Sequence, residues 1–181
     1  MNKLILGIAG LNGSGKSTVA QYLTEHEGFT YLSFRNYICK ELDKRNLEHV
    51  RENMRRVANE IRAEYGSSYL LNLMKEDIQG IDGPVVIESF RTLNEVRHLK
   101  EIGGTLLAIT APSKIRYERI AKRKSSTDHI TYEELLEQER KESISKDPDV
   151  QNLPMVIQEA FTAGRPLIVS NIGGMAEKVQ D

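Results

Sequence analysis

The sequence predicts a three-layer α/β/α domain built on a five-stranded parallel sheet, with a small lid. Three observations carry that prediction. Short runs rich in branched apolar residues alternate with longer stretches of helical period, the pattern of strands buried on both faces. The first of these runs leads directly into a glycine-rich loop and then a helix. A chain of 181 residues suffices for one such domain with a sizeable core and is too short for two ordinary ones.

Taken in order, the expected strands are Leu4 to Ala9, Phe29 to Leu32, Val85 to Ile87, Thr105 to Thr110 and Leu167 to Val169. After the first comes Gly10-Leu-Asn-Gly-Ser-Gly-Lys-Ser-Thr18, a complete G-x-x-x-x-G-K-[ST] phosphate loop. Strand, glycine loop and helix in that order are the context the motif needs, because the next helix must aim its free N–H groups at the phosphates. Gly10, Gly13 and Gly15 remove Cβ atoms where backbone approaches phosphate. Asn12, Ser14 and Thr18 complete the cradle, Lys16 is placed for the β- and γ-phosphates, and the Ser17 hydroxyl for Mg²⁺. The sequence is thus expected to bind a nucleoside triphosphate.

Between the second and third strands, residues 33–80 read as a helical insertion. Val50, Met54, Val57, Ile61 and Tyr65 recur at steps of four and three and predict the packed face, with Arg51, Arg55, Arg56 and Arg62 off it. Thr92 with Glu95 and Thr131 with Glu134 are capping boxes that start two later helices, and Gly164 followed by Pro166 stops another. After the fourth strand, Arg116, Arg119 and Arg123 fall on neighbouring helical positions. Only Glu118 offsets six basic residues between Lys114 and Lys124, and an uncompensated cluster favours an anionic ligand. Ser125 to His129 interrupts this helix, so residues 124–142 read as a lid region.

A net charge of −1 argues against a general nucleic-acid or membrane-surface binder. The single cysteine, Cys39, excludes an internal disulfide, and no leader pattern precedes the phosphate loop, so a cytoplasmic protein is expected. The four histidines lack ligand spacing, leaving Mg²⁺ carried in with ATP as the expected metal.

These segments together, Gly10 to Thr18, Arg55 to Arg62, Val86-Ile-Glu-Ser-Phe-Arg91, Arg116 to Arg123 and Ser170-Asn-Ile-Gly-Gly174, resemble the small P-loop nucleoside and nucleotide kinases. Adenylate kinase and dephospho-CoA kinase are their familiar members. The resemblance spans nearly the whole chain and implies a single P-loop kinase-like domain over residues 1–181. It is closest to adenylate-kinase-related proteins and to the kinase-like domain that accompanies deoxycytidylate-deaminase-type domains. A deaminase-type domain or a second copy of the chain is the partner this implies, besides small nucleotide substrates.

The resemblance further implies site roles. Arg91 would contact acceptor phosphate, and Arg119 and Arg123 would hold the donor and the transferring phosphoryl from the lid side. Arg55 and Arg62 would lie in the acceptor-binding insertion, and Asn171 with Gly173 would pack on the donor base. Two departures stand out. Where the family places an aspartate and, three residues on, an arginine, this chain has Asn36 and Cys39, leaving Arg35 or Lys40 to supply the cation. The third strand ends in Glu88 rather than an aspartate, a residue still able to hold Mg²⁺ through water or to orient the acceptor.

A hydroxyl acceptor carries a proton that a base must remove, and the resemblance to dephospho-CoA kinase implies an aspartate near the second strand for that role, which this chain lacks, whereas a monophosphate offers an oxygen that is already anionic. The sequence therefore favours transfer from ATP to a nucleoside or deoxynucleoside monophosphate, a pyrimidine by the deaminase resemblance. Dephospho-CoA or another hydroxyl acceptor, with Glu88 as base, is the first alternative. A non-catalytic, nucleotide-responsive binding protein is the second.

Overall fold

Alternation within each apolar run decides which side chains reach which face of the sheet. The computed structural model describes residues 3–123, 130–144, 147, 151–162 and 167–169. Along them lie β1 (Ile5–Ala9), α1 (Lys16–His26), β2 (Thr30–Ser33), α2 (Phe34–Lys44), α3 (Arg51–Tyr65), α4 (Tyr69–Leu73) and α5 (Lys75–Gly80). There follow β3 (Val85–Glu88), α6 (Leu93–Glu101), β4 (Thr105–Thr110), α7 (Ser113–Arg123), α8 (Tyr132–Glu142), α9 (Leu153–Thr162) and β5 (Leu167–Val169). The five strands are parallel, in the order β2-β3-β1-β4-β5.

Ile5 and Ala9, Val85 and Ile87, and Leu106 and Ala108 share one face, packed on Phe34, Leu42, Val57, Leu71, Phe90, Leu99 and Val156. Ile8, Val86, Leu107 and Ile109 face the other way, onto Ala20, Val19 and Leu23 of α1. Each Val, Leu, Ile or Phe among them contributes about 1.5–3 kcal/mol when fully buried. Burial on both faces is why the strand sequences are continuous apolar runs.

Register fixes the functional end. Ser33 and Ile8 both sit opposite Glu88, and Ala9 sits opposite Ala108. The carboxyl ends of β1, β2, β3 and β4 therefore open on one edge, where ligands of such sheets bind. This pairing also carries β3 one residue past the expected Ile87, since the ladder continues on both sides of Glu88. Likewise β2 runs one residue later than expected, leaving buried Phe29 before it, and β1 begins after the exposed Leu4.

The insertion over residues 33–80 is helical as expected, and is built of the four helices α2 to α5. Its packed stripe is shorter than the periodicity predicted. Val57, Ala58 and Ile61 are buried, but Val50 and Tyr65 at the two ends are exposed. Arg62, expected off the packed face, is buried instead, because Glu95 meets it there. Both capping boxes form as expected, at Thr92 and Thr131. The stop at Gly164 and Pro166 falls outside the described residues. Among the described residues, no helix is long and apolar enough to cross a membrane.

Candidate active site

The loop after β1 is shaped by its glycines and by α7. Gly13 has φ +76°, and a Cβ there would lie 2.5 Å from the carbonyl oxygen of Arg116. Gly15 has φ +104° and caps α1, a left-handed conformation that L side chains rarely adopt. Arg116 is buried and holds the loop from behind, its Nη1 donating to the Asn12 carbonyl at 3.3 Å. Arg119 Nη1 donates to the Gly13 and Ser14 carbonyls, both at 3.3 Å, and Arg123 Nη2 lies 3.5 Å from Asn12 Oδ1.

Before this loop opens a cleft of about 650 Å³. Asn12, Gly13, Gly15, Lys16, Ser17 and Thr18 line its loop side, with Arg119 and Arg123. Arg35, Arg55, Arg62 and Arg91 also line the cleft, with Phe34, Ile38, Met54 and Ala58. Gly10 and Ser14 shape the loop without lining the cleft, and the buried Ser14 hydroxyl has no hydrogen-bond partner among the described residues. Asn171 and Gly173, expected at the donor base, lie outside the described residues, as does the lid stretch 124–129.

Lys16 folds back on its own loop, Nζ donating to the Leu11 carbonyl at 2.9 Å. Burial of the ammonium, reinforced by the nearby Arg91, lowers its pKa from the ordinary 10.5 to about 8, against the opposing pull of Glu88. Glu88, at the end of β3, accepts from Ser17 at 3.3 Å on Oε1 and from the Tyr31 phenol at 2.7 Å on Oε2. Burial, together with this carboxylate, pushes the Tyr31 phenol up to about 12. Ser17 and Glu88 are adjacent hard oxygen donors, the kind of pair that suits Mg²⁺.

The expected arginine groups converge on the cleft, but their surroundings differ from the expectation in two places. Arg116 does not belong to an uncompensated cluster. It is clamped by both oxygens of Glu139 on α8, which also docks on α7 through the edge-on rings of Tyr117 and Tyr132. The half of the lid region from Tyr132 onward is thus a helix fixed to α7. Arg62 lines the cleft while its Nε and Nη2 are both held by Glu95 Oε1 at 2.9 Å. Arg91 reaches toward Glu142 at the end of α8, 4.0 Å away. Arg35 follows Ser33, whose hydroxyl caps α2 by accepting from the Arg35 N–H at 3.2 Å.

Sequence reasoning missed Tyr31, Ser89, Glu95, Glu139 and Glu142 as site components. Ser89 adopts φ +86°, an uncommon left-handed conformation for a residue with a Cβ, next to Glu88 in the cleft wall. No local signal announces it. Glu95 was readable only as a cap, and Tyr31 only as an alternate residue of an edge strand.

Residues 6–144 match the family described as an AAA domain. The chain is 30% identical over 178 residues to a UPF0200 protein of Aeropyrum pernix, covering 97% of this chain and 88% of that one. It is 33% identical over 146 residues to a UPF0200 protein of Pyrococcus horikoshii, covering 77% and 78%. Among solved structures it resembles TT1252 from Thermus thermophilus, with TM-score 0.57, 21% identity and coverage of 97% and 92%. It also resembles a putative kinase from Chloroflexus aurantiacus, with TM-score 0.54, 18% identity and coverage of 99% and 93%. At these identities the structural likenesses establish the P-loop kinase-like fold alone.

Proposed function

The chain belongs to the AAA domain family and groups with the UPF0200 proteins, and on that premise we propose that it transfers the terminal phosphoryl of Mg²⁺·ATP to a nucleoside or deoxynucleoside monophosphate. The observation that carries this reading is the convergence in one cleft of cations from separate elements of the fold. Lys16, Arg119 and Arg123 attend the phosphate loop, and Arg35, Arg55 and Arg91, from α2, α3 and the segment after β3, line the same space with Phe34, Ile38, Met54 and Ala58. Phosphoryl transfer is mostly positioning and charge stabilisation, so cations for donor and acceptor facing one space are what the reaction requires.

In this reading the loop amides and Lys16 hold the donor phosphates, and Arg119 and Arg123 stabilise charge on the moving group. Arg91, aided by Arg35 or Arg55, grips the acceptor phosphate. Planar guanidinium forks match a phosphate bidentately. Ser17 and Glu88 would hold Mg²⁺, which when bound neutralises charge on the phosphate oxygens. Enclosure lowers the Lys16 pKa to about 8, so its charge falls away as pH rises past that value, and an arriving triphosphate favours the charged form.

The competing reading is a hydroxyl acceptor such as dephospho-CoA, with Glu88 as general base. Glu88 accepts from Ser17 and Tyr31 on its two oxygens, an arrangement better suited to holding a metal than to taking a proton. A panel of AMP, CMP, UMP, dCMP and dephospho-CoA, each with ATP and Mg²⁺, tests the proposal. Preferred transfer to a monophosphate supports it. Preferred transfer to dephospho-CoA, abolished by Glu88→Gln, would replace it, and ATP binding without acceptor-stimulated turnover would point to a regulatory protein.

A further inference from the structure

A capping box needs from its glutamate only one bond back to the N-cap amide, and glutamine serves as well. Glu95 does much more. Its carboxylate is fully buried, where a charge is tolerated only when paired and hydrogen-bonded. Oε2 accepts from the Thr92 N–H at 3.0 Å and also from the Arg91 N–H at 2.6 Å. Oε1 accepts from Arg62 Nε and Nη2, both at 2.9 Å. The other side of Arg91 is fixed too, since its carbonyl accepts from the Asn152 N–H at 3.0 Å at the start of α9. The Asn152 side chain accepts from Met155 N–H and donates to the Ser143 carbonyl at the end of α8.

We propose that Glu95 is a positioning residue for the acceptor-side cation Arg91, and that Arg62 serves the site through Glu95 rather than as an acceptor ligand. This rests on the reading above that Arg91 grips the acceptor. The backbone of Arg91 is held on both sides, by Glu95 before it and by Asn152 after it. Through Arg62 the same carboxylate ties that backbone to α3, whose Met54, Arg55 and Ala58 form the acceptor wall. The cation and the wall are thereby one rigid body, set before the acceptor arrives. Charge-assisted bonds at these distances are the strong class. Replacing one carboxylate oxygen with an amide NH₂ removes acceptor capacity for either Arg62 or the two backbone amides.

The test is a double-mutant cycle with Glu95→Gln, Arg91→Ala and the double variant, using CMP, dCMP, UMP and AMP as acceptor probes. Thermal unfolding confirms that each protein is folded, and titration with ATP alone reads the donor half of the site. Glu95→Gln should lower acceptor kcat/KM by about 10-fold or more, within the roughly 10²-fold that a misplacement of about 1 Å can cost, with ATP affinity within about 2-fold. In the Arg91→Ala background the same change should cost less than about 2-fold, because its target is gone. Should Glu95→Gln not fold, Arg62→Lys carries the test and should show the same selectivity at about 3-fold, lysine keeping the charge without the fork. Equal losses with and without Arg91, or a matching loss of ATP affinity, would overturn the positioning role while leaving the acceptor reading intact. No acceptor effect of Arg91→Ala, or no transfer to any probe, would overturn both.

Discussion

Lys16→Met should make the empty protein more stable while disabling it. The ammonium is enclosed beside Arg91 and Arg123, and its pKa falls from 10.5 to about 8. Each pH unit of that displacement is worth about 1.4 kcal/mol, so keeping Lys16 charged at pH 7 costs about 3 kcal/mol. Part of the side chain reaches solvent, and methionine forfeits the bond to the Leu11 carbonyl, worth about 1 kcal/mol. A net gain of about 1–2 kcal/mol is expected, or roughly 3–6 °C in Tm for a chain of this size. The folded pKa lies below the unfolded one. The penalty is therefore fully present below about pH 8 and is relieved as pH rises from there toward 10.5. Urea unfolding of both proteins at pH 7 and pH 9.5 checks this, and the advantage of Lys16→Met should shrink by more than half at the higher pH. ATP-dependent transfer should fall about 10²-fold or more, as for removal of one charge-stabilising donor. A variant no more stable than the wild type at pH 7, or a gain indifferent to pH, would refute the reasoning.

Arg91→Lys should raise acceptor KM or lower kcat by about 10-fold with ATP affinity little changed, since lysine keeps the charge and loses the fork; steady-state kinetics with both substrates varied reads this. Gly13→Ala should abolish detectable ATP binding in calorimetry, because the new Cβ at φ +76° meets the Arg116 backbone, which cannot yield as a flexible side chain would. Glu139→Gln should cost about 2 kcal/mol in urea unfolding by breaking the clamp on buried Arg116. It should also speed hydrogen exchange in α8 more than in α1. The ATP affinity of the wild type should decline as pH rises above about 8, and binding at pH 8.5 should take up protons, because the triphosphate favours charged Lys16; calorimetry in buffers of different ionisation enthalpy measures the uptake.

The parts legible in the sequence are those whose cause is local. The five strands, the phosphate loop and both capping boxes are written in consecutive residues, and each lies within a residue of its expected place. What was not legible depends on partners far along the chain. The cluster around Arg116 looked uncompensated because Glu139 lies 23 residues further on. Arg62 was placed off the packed face because helical period cannot know that Glu95, on another helix, will bury it. The stripe from Val50 to Tyr65 overran its packing for a similar reason: periodicity marks a face but not where the neighbouring layer ends. The left-handed Ser89 has no local signature.

The strand order also bears on how the chain acquires its shape during synthesis. The first strand made is the middle of the finished sheet, and it gains its neighbours only when residues 85–88 and then 105–108 have emerged. Pairings this distant in sequence carry a high loop-closure cost and slow folding. The phosphate loop waits longer still. Its carbonyls at Asn12, Gly13 and Ser14 are fastened by Arg116 and Arg119, more than 100 residues downstream. A nascent chain halted before α7 should therefore carry the complete nucleotide-binding motif and yet lack a nucleotide-binding site, so that ATP cannot assist the early stages of folding and can only stabilise a sheet already closed.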